Sequence, residues 1–275
     1  MIKSFSRRLF LLIALLSMFF FMGSATNAKT VDVPIIMYHS LAGNYGDTSI
    51  DATAFESDLQ FLQEQGFQSV TLSQLIDFVH RGIPLPEKPI VLSFDDGYYN
   101  NYALGLPLAE KYNMPIVVSV IGKDTERWSQ NPSPDLPHGH LSWTEIREMV
   151  NSGFVEIANH TWNLHKHENG RKGVLICKRE NTEEYHALLQ EDLGRLQLAL
   201  SIYCDIIPTS FVYPFGAICP VANEILAELG FLATLSCYEG VNKLTQGDTS
   251  CLYDLCRYNR TSKRSVADIL NSISL

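Results

Sequence analysis

Asp95 and Asp96 stand side by side in Ser93-Phe94-Asp95-Asp96-Gly97, and about sixty-five residues later His160 and His165 bracket the segment His160-Thr161-Trp162-Asn163-Leu164-His165. Two carboxylates and two imidazoles are enough to hold one divalent metal through three side chains and leave one carboxylate unligated. Three protein ligands, with other positions open to water and substrate, is the stoichiometry of a hydrolytic metal site, whereas structural zinc sites fill all four positions. Adjacent acids suit divided roles, one on the metal and one free to take a proton. Singly, each segment has a plainer reading. Asp-Gly after an apolar run is a common turn, and histidines five apart do not share a helix face, which needs a spacing of three or four.

The segments gain weight from the elements that must carry them. Short apolar runs read as strands at residues 34–39, 67–72, 89–94, 115–121, 155–158, 209–213, 231–236 and 252–257. Helical patterns alternate with them at 54–65, 73–80 (N-capped by Ser73), 102–112, 144–151 (capped by Thr144), 182–202, 220–229 and 265–273. Continuous apolar strands alternating with helices predict a parallel sheet covered by helices. This many units in one chain predict an α/β fold, a distorted (β/α)7-type barrel with parallel strands and outer helices. The acid pair ends the strand at 89–94 and the histidine pair follows the one at 155–158, so both fall on the C-terminal rim, where such folds build their sites. The polar stretches 122–141 and 166–181 are expected there as loops.

Composition narrows the partners. Hydrophobic residues make up 46 % and charged residues 19 % of the chain, which argues for a globular protein. Residues 1–28 have a signal-peptide pattern: Lys3, Arg7 and Arg8, then an uncharged apolar run from residue 9 to 22, then small residues. The run is short for a membrane span, so the expected mature chain, 29–275, carries no span and is exported. That mature chain has 18 basic and 30 acidic side chains, a formal −12. This balance argues against nucleic acid or an anionic membrane as partner and suits a neutral or cationic glycan. Export permits disulfides, and at least one is expected among the six cysteines, all between Cys177 and Cys256, although Cys237 in its apolar run reads equally as a free core thiol.

These motifs resemble the polysaccharide deacetylases of the NodB-homology type, family 4 carbohydrate esterases, from about Pro34 to Arg257. The acid pair matches the family's Thr-Phe-Asp-Asp-Gly motif with Ser93 in place of Thr. The longer His-Thr-x-x-Leu-His form is similar to the deacetylases of poly-N-acetylglucosamine in biofilm export, as are the run from Pro34 to His39 and the turn Tyr213-Pro214-Phe215-Gly216. The resemblance implies a metal-dependent hydrolase removing N-acetyl groups from an N-acetylated glycan polymer, with exopolysaccharide favoured over peptidoglycan or chitin-like polymers. It implies one divalent metal, zinc foremost, on Asp96, His160 and His165. Asp95 is then the general base, and the backbone N–H of Phe215 faces the developing oxyanion.

Two family features are missing. The Arg of the third motif, which orients the base, is replaced by Val212, and no histidine follows His186 to match the late acid. Arg257 is a candidate for the first role, with a surface charge as its plainer reading. His39, ending the first strand on the same rim, is the first candidate acid and His140 the second. Tyr98 and Trp162 are expected to contact sugar, Asn159 to support a ligand, and Thr161 to shape its turn through its hydroxyl. The missing pair also leaves room for a glycan-binding module with a decayed site, and the fold for an amidohydrolase of small cyclic amides.

Overall fold

A computed structural model describes residues 28–43, 46–178 and 180–273. The expected signal segment lies almost entirely outside them. Among the described residues, no helix is long and apolar enough to cross a membrane.

The strands that build the barrel are short and buried on both faces. They are β2 (Ile35–Tyr38), β3 (Gln68–Ser69), β4 (Pro89–Phe94), β5 (Ile116–Val120), β6 (Val155–Asn159), β9 (Ser210–Val212), β10 (Ala233–Leu235) and β12 (Tyr258–Asn259). They pair in parallel in the order β10-β9-β6-β5-β4-β2-β12, with β3 against the first half of β4. The two ends of this curled sheet are tied by a parallel bridge between Leu235 and Leu255. Two antiparallel pairs complete the described strands: β1 (Thr30–Val33) pairs with β11 (Asn242–Thr245), and β7 (His167–Glu168) with β8 (Arg171–Lys172). Among the described residues, eight α-helices surround the sheet: α1 (Ala52–Glu64), α2 (Leu72–Arg81), α3 (Leu106–Tyr112), α4 (Gly122–Gln130), α5 (Trp143–Asn151), α6 (Thr182–Cys204), α7 (Ala222–Glu228) and α8 (Val266–Asn271).

Strand alternation divides the core in two. Ile36, Leu92, Val118 and Ile157 face outward and pack with Phe55, Leu59, Ile146, Met149, Leu196 and Leu200 of the outer helices. Ile35, Val91, Val117, Ala158, Val212 and Leu235 face inward and meet Leu72, Leu75 and Val79 of α2, which plugs one end. Ser93 and Asp95 have the parity of Val91 and therefore point into the barrel at its other end.

Several boundaries differ from expectation. Thr71, not Ser73, caps α2 in a reciprocal capping box with Gln74, and Ser142, not Thr144, caps α5 with Glu145. The stretch expected as a loop from 122 begins with α4, which has no side-chain N-cap to announce it. The helix expected from 102 opens with a π-helical turn, Asn101–Gly105. The strand expected at 252–257 is a 3-10 turn, Thr249–Leu252, followed by the single bridge at Leu255, and the pairing moves on to β12. All six cysteines carry free thiols, so the expected disulfide is absent. Each sits among its own neighbours: Cys204 donates to the Trp143 carbonyl, Cys251 to that of Asp248, and Cys237 lies between Arg257 and Met37.

Candidate active site

The acid pair splits at the end of β4. Asp95 continues the strand's alternation inward and is buried. Asp96 then takes a left-handed conformation, φ 71°, and Gly97 follows at φ 64°. Aspartate is among the residues that tolerate this region best. Any side chain at Gly97 would meet Val120, 3.0 Å from its Cγ1. The reversal begins one residue earlier than Gly97 and turns the Asp96 carboxylate to the rim.

On that rim His160 Nε2 lies 3.6 Å and His165 Nε2 3.4 Å from Asp96 Oδ1, and one ligand atom from each residue falls within 4.8 Å of the others. His160 Nδ1 donates to the Val212 carbonyl at 2.7 Å. A carbonyl only accepts, so the proton sits on Nδ1 and the Nε2 lone pair faces Asp96. Asp96 Oδ1 is buried without a hydrogen-bond partner. Lone-pair donors converging on an unpartnered buried oxygen fit a divalent cation, and two imidazoles with one carboxylate is a donor set suited to zinc and other first-row metals. Burial works to raise the Asp96 carboxyl, but the neighbouring imidazoles of His160, His39 and His165 outweigh it and hold it at about 2. Burial and neighbouring His160 push His165 below its ordinary value, which keeps it neutral and able to ligate.

Asp95 has the opposite surroundings. Arg257, fully buried, grips it with Nη1 to Oδ1 at 2.7 Å and Nη2 to Oδ2 at 2.8 Å. Ser119 donates to Oδ1 at 3.0 Å. Arg257 is itself fixed by Nε to the Ser236 carbonyl at 2.6 Å and Nη1 to Ser93 Oγ at 3.0 Å. Burial alone would raise the Asp95 carboxyl, but the charge and hydrogen bonds of Arg257, with the His160 imidazole nearby, hold it well below the usual range. Arg257 therefore reaches inward from the closing bridge and stands where the missing third-motif Arg was sought.

The other sequence candidates fall around this pair. His39 is half-buried, its Nδ1 is buried without a hydrogen-bond partner, and its imidazole lowers both carboxyls. Its backbone is held by Asn101 Nδ2 on the His39 carbonyl at 2.9 Å, while Asn100 accepts from Leu41 N at 2.8 Å. His140 bonds the Asp96 carbonyl through Nδ1 at 3.0 Å and stacks on Tyr98. Burial and the Asp96 carboxylate raise the Tyr98 hydroxyl. Phe215 has φ 59°, and its ring, 43 % exposed, lies 4.4 Å from that of His165. Asn159 accepts from Thr161 N at 2.9 Å, and Thr161 Oγ1 from Leu164 N at 3.1 Å, so both shape the histidine loop. Thr161 has φ 74°, unusual for a β-branched residue and a strain of order 1–3 kcal/mol. Trp162 is not at the mouth as expected. It is 8 % exposed, stacked on Trp143 and covered by Arg195. Ser119, the asparagine pair and the contact of Ser93 with Arg257 were missed because buried polar contacts leave no periodic signal.

A family model described as polysaccharide deacetylase matches residues 82–234, a span that holds the acid pair and the histidine loop. The chain belongs to the polysaccharide deacetylase family. Its relatives include the poly-beta-1,6-N-acetyl-D-glucosamine N-deacetylase of Escherichia coli K12, 27 % identical over 239 residues, covering 78 % of this chain and 35 % of that protein. The chain thus spans about a third of that relative's length. Among solved structures, a de-N-acetylase from Aggregatibacter actinomycetemcomitans matches at TM-score 0.75 and 27 % identity over 88 % of this chain and all of the other. IcaB from Ammonifex degensii matches at 0.70 and 26 % over 84 % and 93 %. The chain shares their curled parallel sheet with surrounding helices.

Proposed function

We propose that this deacetylase is an exported, metal-dependent enzyme that removes N-acetyl groups from N-acetylglucosamine units of a polysaccharide, a β-1,6-linked exopolysaccharide foremost. The observation that carries the reading is the division of the acid pair: an unpartnered Asp96 facing two imidazoles, beside an Asp95 locked ionised by Arg257. The names of the relatives favour the substrate class, and the signal pattern of residues 1–28 favours export.

Asp96, His160 and His165 would hold the cation. Bound there, such a cation supplies Lewis acidity towards an amide carbonyl and acidifies water. Asp95 accepts the proton of the attacking water, and Arg257 keeps its carboxylate charged and aimed. The backbone N–H of Phe215 is assigned to the oxyanion, a role typically worth about 2.7–4 kcal/mol. His39 delivers a proton to the leaving amine, and its unpartnered Nδ1 is the reason to prefer it over His140, whose Nδ1 is taken. A binding module with a decayed site was favoured by the missing Arg and the missing late His; the Arg257 grip on Asp95 weakens the first support, and the role proposed for His39 answers the second.

The test is acetate release from β-1,6-linked N-acetylglucosamine oligomers, β-1,4-linked oligomers and peptidoglycan, with zinc added and with chelator. Release from the β-1,6 oligomers, lost on chelation and restored by zinc, is expected. No release from any glycan would sink the enzymatic reading, and release insensitive to chelation would sink its metal dependence.

A further inference from the structure

The loop bearing both imidazoles is held from outside by a side chain that belongs to neither motif. Asp192, within α6, turns its carboxylate onto two consecutive backbone amides: Trp162 N donates to Oδ1 at 2.7 Å and Asn163 N to Oδ2 at 2.9 Å. Successive N–H groups form a small anion cradle, and bonds to an ionised acceptor are roughly twice as strong as neutral ones. One turn further along α6, Arg195 lies 4.0 Å over the Trp162 ring. The matching carbonyls are taken from the other side, Thr161 O by Gly122 N at 3.1 Å and Trp162 O by Lys123 N at 2.8 Å.

These bonds fall just after the left-handed Thr161, a conformation that persists only where its surroundings over-determine it. His160 precedes the strained residue and has its own anchor on Val212. His165 follows it, and the amides that set the path towards His165 are those Asp192 holds. We propose that Asp192 is a positioning residue for His165, the device that lets histidines five apart bring both Nε2 atoms to one carboxylate. The inference rests on reading His160, His165 and Asp96 as metal ligands.

The experiment is cobalt(II) titration of the chelator-stripped protein, followed by visible absorption, with amide hydrogen exchange at Trp162 and Asn163 alongside. Asp192→Ala should weaken cobalt affinity about 10–100-fold, the usual range for partners outside the ligands. It should also alter the visible band and expose both amides to exchange. Asp192→Asn, which keeps the shape and one acceptor, should fall between it and wild type, and decides the matter if the alanine variant does not fold. Exposed Glu191→Ala on the same helix should match wild type. Wild-type affinity, spectrum and amide protection in a folded Asp192 variant would overturn the proposal. If wild type itself takes no cobalt, the metal reading fails separately, and amide protection alone still decides whether Asp192 holds the loop.

Discussion

Asp95 and Asp96 are joined by one peptide bond and occupy opposite electrostatic settings. Asp95 points into the barrel with both oxygens gripped by Arg257 and a third donor from Ser119. Asp96 points to the rim with Oδ1 unpartnered and two imidazoles beside it. The inner side is saturated and the rim side is left open for a cation. Two adjacent identical side chains thus acquire different chemistry because the backbone reverses between them, at φ 71° on Asp96.

Exchanging the two settings by mutation tests that contrast, and the largest effect belongs to the rim. Asp96→Ala or His165→Ala should abolish metal binding, measured by elemental analysis after dialysis, whereas Asp95→Asn should retain metal and lose roughly 10²–10⁴ in hydrolytic rate. Equal metal content in all three would erase the distinction. Next is the inner side. Arg257→Ala leaves a buried carboxylate unpaired and should cost about 3–5 kcal/mol in urea unfolding. The folded Asp95 carboxyl titrates below its unfolded value of about 3.9. Its stabilisation is therefore present above that value and lost as pH falls through the depressed one, and the variant should lack this acid limb. Smaller is His39→Ala, with metal retained and a rate lower by about 10²-fold, the low end for a proton donor; an unchanged rate removes His39 as the acid. Smallest is the pH response of the rim. His165 titrates below its ordinary value, so metal affinity should change little above about pH 6.5 and decline only below it. Calorimetric titration across that range would show an earlier decline if His165 were not depressed.

The rim was legible because its chemistry is local. Each proposed ligand sits at or just after the end of an apolar strand, and the barrel brings strand ends together. The inner side was only partly so: Arg257 was a candidate to orient Asp95 at the end of a strand expected at 252–257, but that approach is a single bridge at Leu255, and the pairing across 162 residues leaves no local signal. The alternation of strands and helices came through, but α4 did not: its sequence is polar and its first residue is a glycine without a capping side chain. Trp162 lay beside a ligand and was read as a sugar contact, yet neighbours along a loop can face opposite ways, and its ring joins the core. Asp192 looked like any polar residue of an amphipathic helix, since nothing local distinguishes a solvated carboxylate from one that holds another loop.

The bridge between Leu235 and Leu255 also sets a timetable. Every proposed ligand of the rim precedes residue 166, while the guanidinium that pairs with Asp95 arrives only with Arg257. A proteolytically shortened chain that stops before this point carries the three rim side chains, and an inner carboxylate that has Ser119 but lacks its guanidinium partner. The pairing of the inner acid is therefore completed by the same stretch of chain that closes the barrel, so that closure and acid pairing become one event.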